Sequence, residues 1–381
     1  MKKQLFIALT LIIFTITGFA QQKLPTLNIN SSEIIEKAQE MDFSEAKEIL
    51  LTIPLGDTLY NTAQMMLGKL HTNNKQYEDA LKYCMWVLEH PNSKVSEKDI
   101  IPTMAECYYY LNDYNTAIFY FNKALEYFPY KAYLHNNLAQ CYMQLEMTTK
   151  AEEHLILAIR CEPFNNSFHY QLALTYLKQR QTIPALLALN FSSYCEPSHA
   201  ITLSSLQLLD EIYTKGTEVF YEENKIPISD NINQHERFME IEMLINSNFA
   251  ISSKFKAKTK IKHFLPYQNQ LLFEMLPTPN NSNNIVDLLY IPLFKKIVEE
   301  NYSDFCYYQL QETDVEDGKV RKKALKMSEN LTKFVYATYP FALQQVSKGI
   351  NIKENETSRV FEYENQGALS AFGESRSEVN G

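Results

Sequence analysis

Apolar residues recur along most of the chain with a helical period. Ala117, Phe121 and Ala124 stand at i, i+4 and i+7, which puts them on one face of a helix. A longer period is superimposed on this one. Ala105, Ala139 and Ala173 are 34 residues apart, and so are Tyr108, Tyr142 and Tyr176. The same interval separates Ala117, Ala151 and Ala185, then Phe121, Leu155 and Leu189, and finally Pro129, Pro163 and Pro197. Columns in register at this spacing predict one supersecondary unit used repeatedly. In an antiparallel helix pair, the alanines let the two axes approach while Tyr108 and Phe121 fill the volume beside them. Pro129 follows the second helix and prevents it from continuing. Each unit therefore reads as helix, turn, helix, stop.

These columns resemble the tetratricopeptide repeat, with a small residue early in helix A, a Tyr three later, an Ala in helix B and a terminal Pro. An earlier unit keeps Leu67-Gly68, His71, Tyr77 and Ala80, and Phe43-Ser44-Glu45-Ala46 echoes Tyr77-Glu78-Asp79-Ala80 as a degenerate first unit. The resemblance covers residues 31–199, about four clear repeats plus the degenerate one. It implies an all-α fold, a right-handed helical solenoid; the residues beyond it are expected to add further helical hairpins and a mobile polar C-terminal tail.

Family members usually present, as a concave groove, the helix A positions that the core does not use. The resemblance places Tyr109, Tyr110, Tyr133 and Asn136 there, with Gln140, Met143, Tyr170 and Leu174. Met65, Lys69, Asp99, Glu106 and Leu177 fall at related positions. Aromatic, amide and thioether groups suit a protein or peptide partner, since Tyr offers apolar area and the amides bond to backbone. The family's carboxylate-clamping ligand is not carried over, because Met65, Pro102 and Lys69 occupy the equivalent places.

Beyond Pro197 the columns stop, but Leu203, Leu206, Leu209 and Ile212 keep helical spacing over Ile201 to Tyr213 and suit a cap on the last repeat. Residues 200–348 read as mainly helical, with helices near Glu236 to Ile245, Leu265 to Leu276, Ile285 to Glu300 and Lys319 to Tyr336. Divergent hairpins continuing the stack are the expectation for this region. Lys254, Lys256, Lys258, Lys260 and Lys262 alternate with other residues, a basic stripe if extended and a solvated edge otherwise. Residues 349–381 are polar and lack periodicity, and Tyr363 to Glu374 resembles one MORN-type unit.

Met1-Lys2-Lys3, the apolar run Leu5 to Ile16 and the small-residue site Gly18-Phe19-Ala20 together form the pattern of a signal peptide over residues 1–20. Cleavage near Ala20 predicts a periplasmic or secreted chain with no transmembrane span. A net charge of −9 argues against nucleic acid as a partner. Only 9 Gly among 381 residues disfavour glycine-cradled phosphate sites. Six Cys in an exported chain suggest disulfides, but Cys107 and Cys141, like Cys161 and Cys195, occupy equivalent places in neighbouring repeats, too far apart to bond. All six read as small packing residues. His135 and His169 share a column and read as packing or edge residues, and acid pairs such as Glu152-Glu153 read as solvated faces. With no catalytic motif, metal-ligand spacing or cofactor loop, the expectation is a non-enzymatic scaffold needing no cofactor. A glycan-uptake accessory protein and an enzyme with its site among the C-terminal helices are the alternatives.

Overall fold

The computed structural model describes residues 30–92, 94–195, 200–226, 236–255, 264–280 and 284–300, with Tyr302, Ser303, Phe305 and Thr338. The signal-peptide pattern, Lys256 to Lys262, the helix expected over Lys319 to Tyr336 and the tail lie outside the described residues. Helices account for the architecture, and there is no strand among the described residues. The chain divides into two units at Leu111 and Asn112.

The first unit holds α1 (Ser31–Ala38), α2 (Phe43–Leu50), α3 (Tyr60–Asn73), α4 (Tyr77–Glu89) and α5 (Glu97–Tyr110). Phe43 opens α2 as Tyr77 opens α4. The Asp42 carboxylate caps α2 by accepting from the Ser44 and Glu45 amides at 2.9 and 3.0 Å. Ala38, Ala46, Leu50, Ile53, Ala63 and Leu67 form one core cluster between these hairpins. Gly68 sets the approach of α3 to α4: a Cβ there would lie 2.9 Å from Cys84 Sγ.

The second unit holds α6 (Tyr114–Tyr127), α7 (Ala132–Gln144), α8 (Thr148–Cys161), α9 (Asn166–Lys178) and α10 (Thr182–Cys195). The column residues Ala117, Phe121, Ala139, Ala151, Ala173, Tyr176, Ala185 and Leu189 are all 0% exposed. In α7–α8 and α9–α10, helix A ends on a residue with left-handed backbone, Glu146 (φ 59) and Arg180 (φ 57), where glycine is usual. The amide that follows returns to the carbonyl of the column tyrosine, Met147 to Tyr142 at 2.9 Å and Gln181 to Tyr176 at 2.8 Å.

Beyond the repeats lie α11 (Ala200–Lys215), α12 (Thr217–Glu223), α13 (Met239–Phe255), α14 (Phe264–Glu274) and α15 (Ile291–Glu300). A 3-10 turn at Glu236–Phe238 precedes α13, and a π-helical turn at Val286–Tyr290 precedes α15. The helix expected to end near Ile245 continues to Phe255. The polar Asn246 does not stop it, because its side chain caps α12 instead, accepting from the Thr217 amide at 3.0 Å. The Asn190 side chain on α10 donates to Asn269 on α14 at 3.0 Å, and Tyr213 on α11 donates to the same oxygen at 2.9 Å. With α9, α11, α13 and the π-turn packed around it, all fourteen residues of α10 are buried.

Candidate functional site

In the second unit, α7 and α9 are successive helix A elements, and they carry six of the eight groove residues expected from the sequence. Tyr133 is 42% exposed, whereas Gln140, Met143, Tyr170 and Leu174 are half-buried. Asn136 is the deepest at 8% exposure. Its amide nitrogen reaches Asn137 Oδ1 at 3.4 Å, while its Oδ1 is buried without a hydrogen-bond partner. A buried amide oxygen left in this state is costly, and an incoming N–H could reach it only if the side chain turned outward. Met143 also links the two helices: Thr175 Oγ1 donates to its Sδ at 3.2 Å, and Lys178 Nζ to its carbonyl at 3.5 Å. Part of this side chain's capacity is therefore already used in packing. None of these six side chains carries a formal charge at neutral pH.

The other two candidates are in the first unit. Tyr110 is 54% exposed and stacks on Tyr77 of α4, with centroids 4.8 Å apart and planes 11° apart. Tyr109 meets Tyr110 edge-on at 5.2 Å. Glu106, one turn earlier, has its carboxyl pushed up by burial, against the pull of Lys69.

The histidines of the shared column proved more structured than their spacing indicated. His135 Nε2 donates to the carbonyl of Pro129 at 3.0 Å, and His169 Nε2 to that of Pro163 at 2.8 Å. A carbonyl only accepts, so each neutral ring carries its proton on Nε2 and offers Nδ1 as an acceptor. His135 Nδ1 then takes a hydrogen bond from His154 Nδ1 at 3.1 Å, and His169 Nδ1 from the Tyr290 hydroxyl at 2.7 Å. His154 stacks on Tyr142 at 5.6 Å, and burial, helped by His135 and Lys150, pushes its imidazole down to about 4. Burial holds His169 lower still, at about 3. Recurrence of His six residues after the column proline was the one sequence signal for this bond; its partners His154 and Tyr290 left none.

The acid pair Glu152-Glu153 is not uniformly solvated. Glu153 is exposed, but Glu152 is half-buried and accepts from Gln179 Nε2 at 3.1 Å, and burial pushes its carboxyl up. Cys84, Cys107 and Cys141 are buried free thiols, and Cys306 lies outside the described residues. Among the described residues, no three His, Cys, Asp or Glu side chains are grouped to hold a metal ion, and no helix is long and apolar enough to cross a membrane.

No curated protein matches the chain. YrrB, a TPR protein with an unusual peptide-binding site, is similar in structure at 16% identity and a TM-score of 0.40, over 51% of this chain and 97% of that one. A double mutant of MamA from RS-1 is similar at 16% identity and a TM-score of 0.39, over 44% of this chain and 96% of that one. The TPR domain of P58(IPK) is similar at 15% identity and a TM-score of 0.24, over 80% of this chain and 99% of that one. Residues 108–181 match the tetratricopeptide repeat family model. With their column residues buried and their hairpins in register, residues 108–181 are similar to tetratricopeptide repeats, an architecture of protein-interaction scaffolds.

Proposed function

We propose that the chain is an exported, non-catalytic scaffold that holds a protein or peptide partner against the helix A faces of its repeats. Export rests on the charged start, apolar run and small-residue site of residues 1–20. The binding reading rests chiefly on Asn136, whose carbonyl oxygen is buried and unbonded on a helix that also carries the exposed Tyr133 and the half-buried Gln140 and Met143. A partner's N–H would satisfy that oxygen once the Asn136 side chain turned outward, while Tyr133 and Tyr170 would supply contact area at little entropic cost.

Site-specific photocrosslinking in living cells tests this. A crosslinking residue at Tyr133 or Tyr170 is expected to capture the same partner, and one at Phe119, which is 60% exposed on α6, is expected not to. Asn136→Ala, with unchanged helicity, should lower capture roughly tenfold by removing one buried hydrogen bond. Equal capture at all three positions, or capture indifferent to Asn136, would remove the basis for the reading.

A further inference from the structure

His71 occupies the α3 position at which later hairpins carry Tyr108, Tyr142 and Tyr176. Its ring is 1% exposed, held between the Phe43 ring of α2 at 5.2 Å and the Tyr83 ring of α4 at 5.1 Å. Neither ring nitrogen has a partner in good hydrogen-bond geometry, and Gln76 offers the nearest side chain that could bond to one. In this it differs from His135 and His169, whose two nitrogens are both engaged.

Such a slot accepts a neutral ring and resists an imidazolium, which would carry two N–H donors where the neutral ring carries one, with the Gln76 side chain alone near enough to receive either. Burial is the largest influence holding the ring below its ordinary value of 6.5, and Lys47 of α2 acts in the same direction. On α4, Lys82 also opposes the charge, whereas Asp79 and the nearby Gln76 favour it without outweighing burial. α5 meets the adjoining residue of α3 through an uncharged thiol, Cys107 Sγ lying 3.2 Å from Thr72 Oγ1.

We propose that His71 is an acid-sensitive switch in the first unit: on taking up a proton, its ring leaves the slot between Phe43 and Tyr83, and the packing of α2, α3 and α4 opens. The direction follows from linkage. The packed state holds the ring neutral, whereas the opened state lets it titrate near 6.5. Packing is therefore undisturbed above that pH. As pH falls below it, the open population grows by about tenfold per pH unit until the packed ring's own lowered value is reached.

Trp86 provides the readout. It is the single tryptophan of the chain, and its ring meets Tyr60 of α3 edge-on at 5.9 Å, so its emission reports the α3–α4 contact. His90 stacks on Trp86 at 4.0 Å and would itself quench on protonation, so the full-length chain is titrated in a His90→Gln background. A red shift of Trp86 is expected on moving from neutral pH into mild acid. Adding His71→Phe should shift the midpoint down by about 1 pH unit or abolish the transition. His71→Tyr, which restores the residue of the other hairpins, is the second variant. Equal midpoints with and without His71 would overturn the proposal. Should both variants fail to fold, NMR titration of the wild-type His71 ring decides, and a native value at or above 6.5 refutes the switch.

Discussion

The hairpins α7–α8 and α9–α10 carry the same column residues and differ in what surrounds their second helix. α8 buries Ala151, Leu155, Ala158 and Ile159 and leaves Glu153 and Leu157 exposed, whereas α10 buries all fourteen of its residues. One repeat period apart, Lys150 gives way to Pro184, Glu152 to Leu186, Glu153 to Leu187 and Arg160 to Tyr194. Column residues thus report how a hairpin closes on itself. The positions between them report whether its outer face meets water or more protein.

The sharpest test of that contrast substitutes equivalent positions. Phe191 in α10 is 0% exposed and packs on His169 at 4.3 Å and on Tyr290 at 5.4 Å. Phe191→Ala should cost about 3–5 kcal/mol in denaturant unfolding, because α11 and the π-turn close the site against relaxation. Leu157, its counterpart in α8, is 39% exposed, and Leu157→Ala should cost less than about 1 kcal/mol. Similar costs would mean that α10 is not enclosed as described.

Much of this was legible in the residues. The columns located every helix from Tyr114 to Cys195, because small residues at fixed places are a local demand of helix pairing. The enclosure of α10 was also written there, in a run from Thr182 to Cys195 without one charged side chain, yet a column search passes over it. The packing of the later helices onto α10 could not be read in the same way. It depends on single long-range bonds, Asn190 to Asn269 and Tyr194 to Thr338 at 2.6 Å, which leave no period in the chain. The groove candidates were placed by register alone. Register could locate Asn136 on its helix but could not say that its oxygen would be buried and unbonded.

A second difference between the hairpins concerns their column histidines. His135 receives its hydrogen bond from His154 of its own hairpin; at the equivalent position of α10 stands Ala188, and the space is served by Tyr290 from the π-turn. Tyr290→Phe keeps the ring but leaves His169 Nδ1 buried without a donor, so a loss of about 1–3 kcal/mol is expected. The effect should vanish in a His169→Phe background, where no nitrogen remains to be satisfied. An undiminished cost in that background would place the role of Tyr290 in packing alone.

The finest distinction lies at the turn between helices A and B, where both hairpins use a residue with left-handed backbone. Glu146 is exposed, so Glu146→Gly removes a steric penalty and should stabilise the second unit by about 0.5–1 kcal/mol. Arg180 stands at the same position with other duties. Its Nη2 donates to the Ile226 carbonyl at 3.0 Å, and its guanidinium lies 4.8 Å from the centre of the Tyr221 ring. Losing those contacts should outweigh the backbone relief, leaving Arg180→Gly about 1 kcal/mol less stable. Opposite signs from one substitution at equivalent turns, measured by thermal unfolding, would show that the last hairpin has exchanged a solvent-facing turn for an attachment point. The same sign at both turns would mean that Arg180 contributes little to holding α12.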